Sequence, residues 1–171
     1  LLNLAQKITA IFEENNIIYF IHSGTLLGSV REGNIISHDD DIDIGVFPHD
    51  VEFLVSDEFN QILKKKDLKF IPFENDKGII KLHEMNSKHN IFIDIFVFRK
   101  NGNKIEYNSE NSRNIWKNGF FKENELFPLT IYPLGNIQLL GPNNPYPYLR
   151  RHFGNDWKVP KNEKKNHSEQ I

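Results

Sequence analysis

One short run of acidic residues limits the folds open to this chain more than any other segment. Asp39-Asp40-Asp41-Ile42-Asp43 leads directly into the apolar residues Ile44-Gly45-Val46. Side chains two positions apart on a β-strand point to the same side, about 6.6 Å apart along the backbone. A strand from Asp41 to Phe47 therefore places Asp41 and Asp43 on one face and the isoleucines on the other, where they can pack into a core.

The acidic face of this strand predicts a divalent metal site. Two carboxylates this close repel, which raises the pKa of their shared proton unless a cation lies between them. Mg²⁺ takes oxygen ligands and leaves room for the phosphate oxygens of a substrate. Asp94 supports the hypothesis because it is the only charge in the run IFIDIFVF, where an unpaired carboxylate is costly to bury. If its strand lies beside that of Asp41 and Asp43, Asp94 either completes the metal site or acts as a base for a hydroxyl nucleophile.

The segment Ser23-Gly24-Thr25 predicts a phosphate contact next to this site. It follows a strand predicted from Ile17 to His22 and opens a short helix predicted from Thr25 to Arg31. Backbone N–H groups at such a junction bind anions, and Gly24 lets a phosphate approach closely. Phosphate beside metal-bound carboxylates is the arrangement used in phosphoryl and nucleotidyl transfer.

The acidic run is also compatible with two structures that contain no magnesium site. Asp is common in turns, so the run could form a solvated loop. Asp39, Asp41 and Asp43 match the first three ligand positions of an EF-hand calcium loop. That match is poor, because Ile44 stands where the loop needs glycine and Asp50 stands where it needs the closing Glu.

Three basic residues are further candidates for substrate contacts, and each has an ordinary alternative. Arg31 holds a donor phosphate or forms a surface ion pair with Glu32. Lys81, on a strand predicted beside that of Asp94, faces the site or the solvent. His38 contacts the donor or the metal, or is a hydrogen-bonded neighbour of the acids.

The composition narrows the class of function. The net charge of −2 over 171 residues does not favour binding of nucleic acid by charge alone. The absence of cysteine excludes a disulfide framework, a thiolate zinc site and a cysteine nucleophile. No apolar run approaches the roughly 20 residues of a transmembrane helix, and no signal peptide is visible. We therefore expect a cytoplasmic protein, free or at the membrane face, although Leu1 in place of Met leaves open a lost targeting segment.

The order of predicted elements indicates an α/β (α+β) fold with a small mixed sheet flanked by helices. The predicted elements are a helix over 2–15, a strand over 17–22, a short helix over 25–31, a strand over 41–47, an amphipathic helix over 50–66, strands over 78–83, 90–98 and 104–107, strand-like runs between 129 and 140, and a last helix capped by Asn143 or Asn144. The polar stretch 108–119 carries no assignment. We expect one domain over residues 1–160 and a polar tail over 161–171.

Three segments together resemble the LicD/fukutin family of the nucleotidyltransferase superfamily. SGTLLGSVREGNIISHDDDIDIGV is similar to the family's Gly-Thr-Leu-Leu-Gly segment, its Arg and its Asp-Asp-Asp-Ile-Asp-Ile-like run. IDIFVF resembles its third-carboxylate strand, and PYPYLRRHFGNDWKVP resembles its closing segment. The resemblance runs from about Tyr19 to Pro160. His38 and Ser37 depart from it, since many members have Trp and Pro there.

The resemblance implies a nucleotidyltransferase-like core that uses Mg²⁺ or Mn²⁺. It implies transfer of a phospho-alcohol group from a CDP-activated donor, such as CDP-choline or CDP-ribitol, to a glycan or a teichoic-acid-type polymer. The residues matched by position are Asp41 and Asp43 for the paired metal ligands, Asp94 for the third carboxylate, Gly24 and Thr25 for the phosphate-side turn, and Arg31 for the family Arg. Two other functions stay open: nucleotidyl transfer from an NTP to a small molecule, and a catalytically silent domain that binds metal or nucleotide.

Overall fold

The acidic strand lies inside a mixed β-sheet in the computed structural model of the protein. The structure describes residues 1–37, 39–71, 78–87 and 91–160. Within these ranges the chain contains both helices and strands, and the structure confirms the predicted α/β class.

Helices occur throughout the described ranges. They are α1 (Leu2–Glu14), α2 (Ser23–Glu32), α3 (Pro48–Leu54), α4 (Asp57–Lys65), α5 (Glu110–Ile115), α6 (Glu123–Leu126) and α7 (Tyr146–Phe153). The strands are β1 (Phe20–Ile21), β2 (Asp41–Val46), β3 (Leu68–Ile71), β4 (Ile79–Glu84), β5 (Phe92–Asn101), β6 (Lys104–Tyr107), β7 (Phe121–Lys122), β8 (Thr130–Leu134) and β9 (Ile137–Gly141).

The strand order places β2 and β5 side by side. The larger sheet runs β1-β2-β5-β4-β3, with β6 pairing the far end of β5 and β7 pairing β6. Strands β2 and β5 are parallel, whereas β1 with β2 and β4 with β5 are antiparallel. Strands β8 and β9 form a separate hairpin.

The alternation of the acidic strand produces the predicted division between core and site. Ile42 and Ile44 are fully buried, while Asp41 and Asp43 on the opposite face keep partial solvent contact. Strand β5 is buried over most of its length, and its Ile93 and Ile95 pair in register with Ile42 and Ile44. Burial of these isoleucines supplies the hydrophobic stabilisation that holds the two strands together.

Several boundaries differ from those predicted from the sequence. The single helix predicted over 50–66 is two helices, because Ser56 interrupts it and caps α4 by accepting the Phe59 N–H at 3.1 Å. Strands β3 and β7 and helices α5 and α6 have no counterpart among the predicted elements. The helix predicted from Thr25 begins at Ser23, so the predicted turn is the first turn of α2.

The C-terminal elements agree with the prediction in outline. Helix α7 begins at Tyr146 and its N-cap is Pro145, so the predicted cap at Asn143 or Asn144 is wrong. The Tyr146 N–H still lies 3.3 Å from the side-chain oxygen of Asn144. The polar tail predicted over 161–171 lies outside the described residues. None of the helices in the described ranges combines the length and the apolar character that crossing a membrane requires.

Gly45 fixes how closely β1 packs on β2, and we expect Gly45→Ala to destabilise the fold. A Cβ at this position would lie 2.4 Å from the Phe20 ring. Overpacking of this kind lowers the free energy of unfolding by about 1–3 kcal/mol, which urea denaturation measures. The smaller side chain of Phe20→Leu should relieve the overlap, so the double variant should be more stable than the sum of the two single losses predicts. Strict additivity would contradict this packing.

Candidate active site

The structure brings Asp41, Asp43 and Asp94 together on one face of the sheet. Asp43 lies directly across from Asp94 in the parallel pairing of β2 and β5. One carboxylate oxygen from each of the three residues lies within 4.8 Å of the others. Hard oxygen donors at this spacing are the ligand set that Mg²⁺ and Mn²⁺ take in proteins. The three residues therefore fit a divalent cation.

A second acidic group borders the first. Asp39, Asp40 and Asp41 also offer three carboxylate oxygens within 4.8 Å of one another. Asp40 is exposed, whereas Asp39 is partly covered and points at Gly24. Asp41 belongs to both groups, so the acidic run continues from solvent into the partly buried cluster of Asp41, Asp43 and Asp94.

The first turn of α2 is bound to the backbone of Asp43. The Asp43 N–H donates to the Thr25 hydroxyl at 2.9 Å, and the His22 N–H donates to the Asp43 carbonyl at 3.3 Å. The backbone N–H of Gly24 lies near enough to the Asp43 carboxylate to lower its pKa in part. A Cβ at Gly24 would lie 3.2 Å from an Asp39 carboxylate oxygen, so the absence of a side chain permits this approach. The helix N-terminus also favours negative charge at this position.

These contacts change how the Ser23-Gly24-Thr25 segment meets phosphate. The Ser23 N–H donates to the Tyr148 hydroxyl at 3.1 Å, and the Gly24 N–H lies near the Asp43 carboxylate. Two of the backbone donors expected to face an anion are thus engaged within the protein. Contact between these three residues and phosphate stays a prediction.

The electrostatics of the cluster favour either a proton on Asp43 or a nearby cation. Burial raises the pKa of the Asp43 carboxyl well above its usual range, and repulsion from Asp41, Asp94 and Asp39 raises it further. The Gly24 N–H opposes this rise without cancelling it. A bound divalent ion would stabilise the ionised form that the surrounding acids disfavour.

Lys81 supplies one positive charge to the cluster. Its ammonium lies 2.8 Å from each carboxylate oxygen of Asp94, its neighbour across β4 and β5. The same ammonium lies 5.1 Å from the centre of the Phe92 ring, and the side chain is 38% exposed. Of the two positions considered for Lys81, the structure shows the one beside Asp94, and the ion pair partly compensates the charge of Asp94. A contact between Lys81 and substrate stays a prediction.

Arg31, another predicted site residue, does not join the cluster in the structure. Arg31 lies in the last turn of α2, about 10 Å along the helix axis from Gly24. Its guanidinium donates twice to Glu32, at 2.9 and 2.6 Å, which is the surface pair considered as its alternative. His38 lies outside the described residues. Substrate contacts of Arg31 and His38 stay predictions.

Two buried residues next to the site were not predicted to take part in it. Tyr148, from α7, contacts Ser23 although 125 positions separate them. His22 is fully buried against the rings of Phe96 and Phe98, and burial lowers its pKa well below the usual range. No spacing or motif signals either contact, since both depend on how α7 and β5 pack in the folded protein.

The comparison with protein families matches residues 16–144 to a family described as LicD/FKTN/FKRP, nucleotidyltransferase domain. An uncharacterised protein of Rickettsia typhi is 38% identical over 140 residues, which cover 82% of this chain and 41% of that protein. Ribitol 5-phosphate transferase FKRP of Homo sapiens is 26% identical over 158 residues, which cover 88% of this chain and 30% of that protein. The chain thus spans less than half the length of these relatives.

Two solved structures share the fold at low sequence identity. ANT(2")-Ia in complex with adenylyl-2"-tobramycin matches with a TM-score of 0.53 and 15% identity, covering 82% of this chain and 68% of that one. The lincosamide antibiotic adenylyltransferase LnuA, bound to lincomycin, matches with a TM-score of 0.51 and 15% identity, covering 82% and 79%. The core therefore has the nucleotidyltransferase-like fold that the resemblance implied.

The charge of Asp43 should destabilise the protein when no divalent ion is bound. The folded protein retains the Asp43 proton at pH values at which the unfolded chain has lost it, because the folded pKa is raised. The cost of ionisation therefore grows as the pH rises from about 4 through the raised pKa. In EDTA at pH 7, Asp43→Asn should melt a few degrees above wild type, and the difference should shrink towards pH 4.

Asp40→Asn is the matched control for this measurement, because it removes an exposed acid from the same run. We expect it to leave the melting temperature nearly unchanged. Addition of Mn²⁺ should raise the melting temperature of wild type and of the Asp40 variant, but not of Asp43→Asn. An Asp43→Asn variant less stable than wild type at neutral pH would contradict the assigned repulsion.

Proposed function

Because the chain belongs to the LicD/FKTN/FKRP nucleotidyltransferase-domain family, we propose that it transfers a phospho-alcohol group from a CDP-activated alcohol to a hydroxyl of a cell-surface glycan. The observation that carries the proposal is the meeting of Asp41, Asp43 and Asp94 on the face of a nucleotidyltransferase-like sheet. The similarity to ribitol 5-phosphate transferase FKRP supports a polyol phosphate as the group transferred. Phosphocholine and glycerol phosphate are the other groups proposed for transfer, with CDP-choline and CDP-glycerol as their donors.

The proposed cofactor is Mg²⁺ or Mn²⁺, held by Asp41 and Asp43 with Asp94 beside them. When bound, the ion supplies positive charge to the pyrophosphate of the donor. The Gly24 N–H fixes the orientation of the Asp43 carboxylate, and the buried isoleucines of β2 fix its backbone. The metal ligands are thus positioned before the substrate arrives, which is what electrostatic stabilisation of a transition state needs.

The proposed reaction breaks the phosphoanhydride bond of the donor and forms a phosphoester bond to the acceptor. The acceptor hydroxyl oxygen attacks the phosphorus that carries the alcohol, and the bond from this phosphorus to the oxygen bridging it to CMP breaks. CMP leaves with the electron pair, and the hydroxyl proton passes to Asp94 or to solvent. The Lys81 ammonium donates hydrogen bonds to both carboxylate oxygens of Asp94 and thereby fixes the orientation of this carboxylate. Ser23, Thr25, Arg31 and His38 are the further proposed contacts of the donor.

Product analysis tests the proposal against its alternative. With Mg²⁺ or Mn²⁺ we expect CMP from at least one of CDP-ribitol, CDP-glycerol and CDP-choline in the presence of a glycan acceptor. Asp43→Ala should lower turnover by a factor of about 10³ or more because it removes a metal ligand, whereas Asp40→Ala should retain activity. Pyrophosphate release from an NTP would instead assign nucleotidyl transfer to the same site. Full turnover by Asp43→Ala would refute the metal assignment.

Lys81 offers a second and separate test of the donor site. If its ammonium contacts a donor phosphate, Lys81→Met should raise KM for the donor by about tenfold or more. Lys7→Met is a matched control, because Lys7 pairs with Glu84 at 3.1 Å and is 39% exposed, close to the 38% of Lys81. Steady-state kinetics of both variants, which give KM for the donor, decide whether Lys81 contacts a donor phosphate. An unchanged KM in Lys81→Met would limit Lys81 to its structural pair with Asp94.

A further inference from the structure

The turn at the start of α2 begins with a residue in an unfavourable backbone conformation. Ser23 has φ 49°, in the left-handed region that residues with a side chain rarely adopt. It stands between the end of β1 and the first turn of α2, immediately before Gly24. A strained residue persists only where its surroundings hold it, and such residues cluster at functional sites.

The hydroxyl of Tyr148 is the group that holds Ser23. It accepts the Ser23 N–H at 3.1 Å, and the Tyr107 hydroxyl interacts with it as well. The Tyr148 ring is fully buried and stacks on Phe121 with ring centres 4.0 Å apart and planes 7° from parallel. The position of this hydroxyl is therefore fixed by packing and not by the Ser23 contact alone.

Gly24 and Thr25, which follow Ser23, connect the position of this turn to Asp43 in the acidic cluster. The Gly24 N–H points at the Asp43 carboxylate, and the Thr25 hydroxyl accepts the Asp43 N–H. A change of φ at Ser23 would rotate the Gly24 N–H away from that carboxylate. The geometry of Asp43 thus depends on a hydrogen bond made by α7, which lies beyond the residues 16–144 that match the family.

We propose that Tyr148 is a positioning residue of the active site, whose hydroxyl holds Ser23 in the left-handed conformation and thereby sets the orientation of Asp43. This proposal has two consequences. One of them, that the orientation of Asp43 governs the affinity for a divalent ion, rests on the proposed function. The other consequence does not depend on any ligand: the first turn of α2 loosens when the Tyr148 hydroxyl is removed.

Tyr148→Phe removes the hydroxyl and retains the stacked ring. In EDTA, amide hydrogen exchange followed by NMR should be about tenfold faster at Ser23 and Gly24 than in wild type, because the turn has lost its anchor. The affinity for Mn²⁺, measured by calorimetry, should fall about tenfold, as expected when a group that orients a metal ligand is lost.

Tyr132→Phe is the matched control. The Tyr132 hydroxyl is also buried and donates to the Pro142 carbonyl at 2.5 Å, in the β8–β9 region. Its loss should lower stability while leaving exchange at Ser23 and Gly24, and Mn²⁺ affinity, as in wild type. Equal effects of the two substitutions would reduce Tyr148 to a packing role and overturn the proposal.

Ser23→Gly provides a rescue in the Tyr148→Phe background. Glycine adopts positive φ without a steric penalty, so the double variant should recover part of the lost Mn²⁺ affinity. Unchanged exchange at Ser23 and Gly24 in Tyr148→Phe would refute the positioning role. Wild-type protein that binds no Mn²⁺ would instead contradict the proposed metal site, while the exchange measurement still decides the role of Tyr148.

Discussion

Repulsion among three carboxylates is the constraint around which this protein is organised. Asp41 and Asp43 share one face of β2, and the parallel register places Asp94 opposite Asp43. Burial and repulsion raise the pKa of Asp43, so the cluster is unfavourable unless a cation or a proton is present. The divalent ion that we propose would relieve this repulsion, and its ligand oxygens would already lie together before it binds.

The surrounding structure offsets this repulsion in three ways. The isoleucines of β2 and β5 bury the opposite face of both strands, which stabilises the pairing that forces the acids together. The N-terminal turn of α2 directs the Gly24 N–H at Asp43, and its dipole favours negative charge there. Lys81 places an ammonium on both oxygens of Asp94. Each of these three interactions acts close to the cluster, and each involves a different secondary-structure element.

Local patterns in the sequence predicted the strands and helices that form the site, but they did not predict the contacts between them. The alternation in β2 and the lone charge in the apolar run of β5 predicted two strands and which side chains share a face. The run at Lys104–Tyr107 was correctly predicted as a strand. The helix after Pro48 was predicted as one unit because its apolar spacing continues through Ser56, and only the cap hydrogen bond reveals the break.

Contacts between distant segments were beyond sequence reasoning. The two backbone N–H groups expected to face phosphate are used by Tyr148 and Asp43, and the first of these partners lies 125 positions away. Arg31 matches the family motif, yet its side chain pairs with the adjacent Glu32. Motifs report which residue types stand near one another along the chain. Hydrogen-bond partners depend on packing of elements that the local pattern does not encode.

Anomalous X-ray scattering from crystals grown with Mn²⁺ and a CDP-alcohol would show directly whether Asp41, Asp43 and Asp94 form a divalent-cation site. We expect an anomalous peak bonded to carboxylate oxygens of Asp41 and Asp43, with Asp94 adjacent. A peak bound only by the more exposed Asp39-Asp40-Asp41 group, or no peak at either group, would contradict the proposed site.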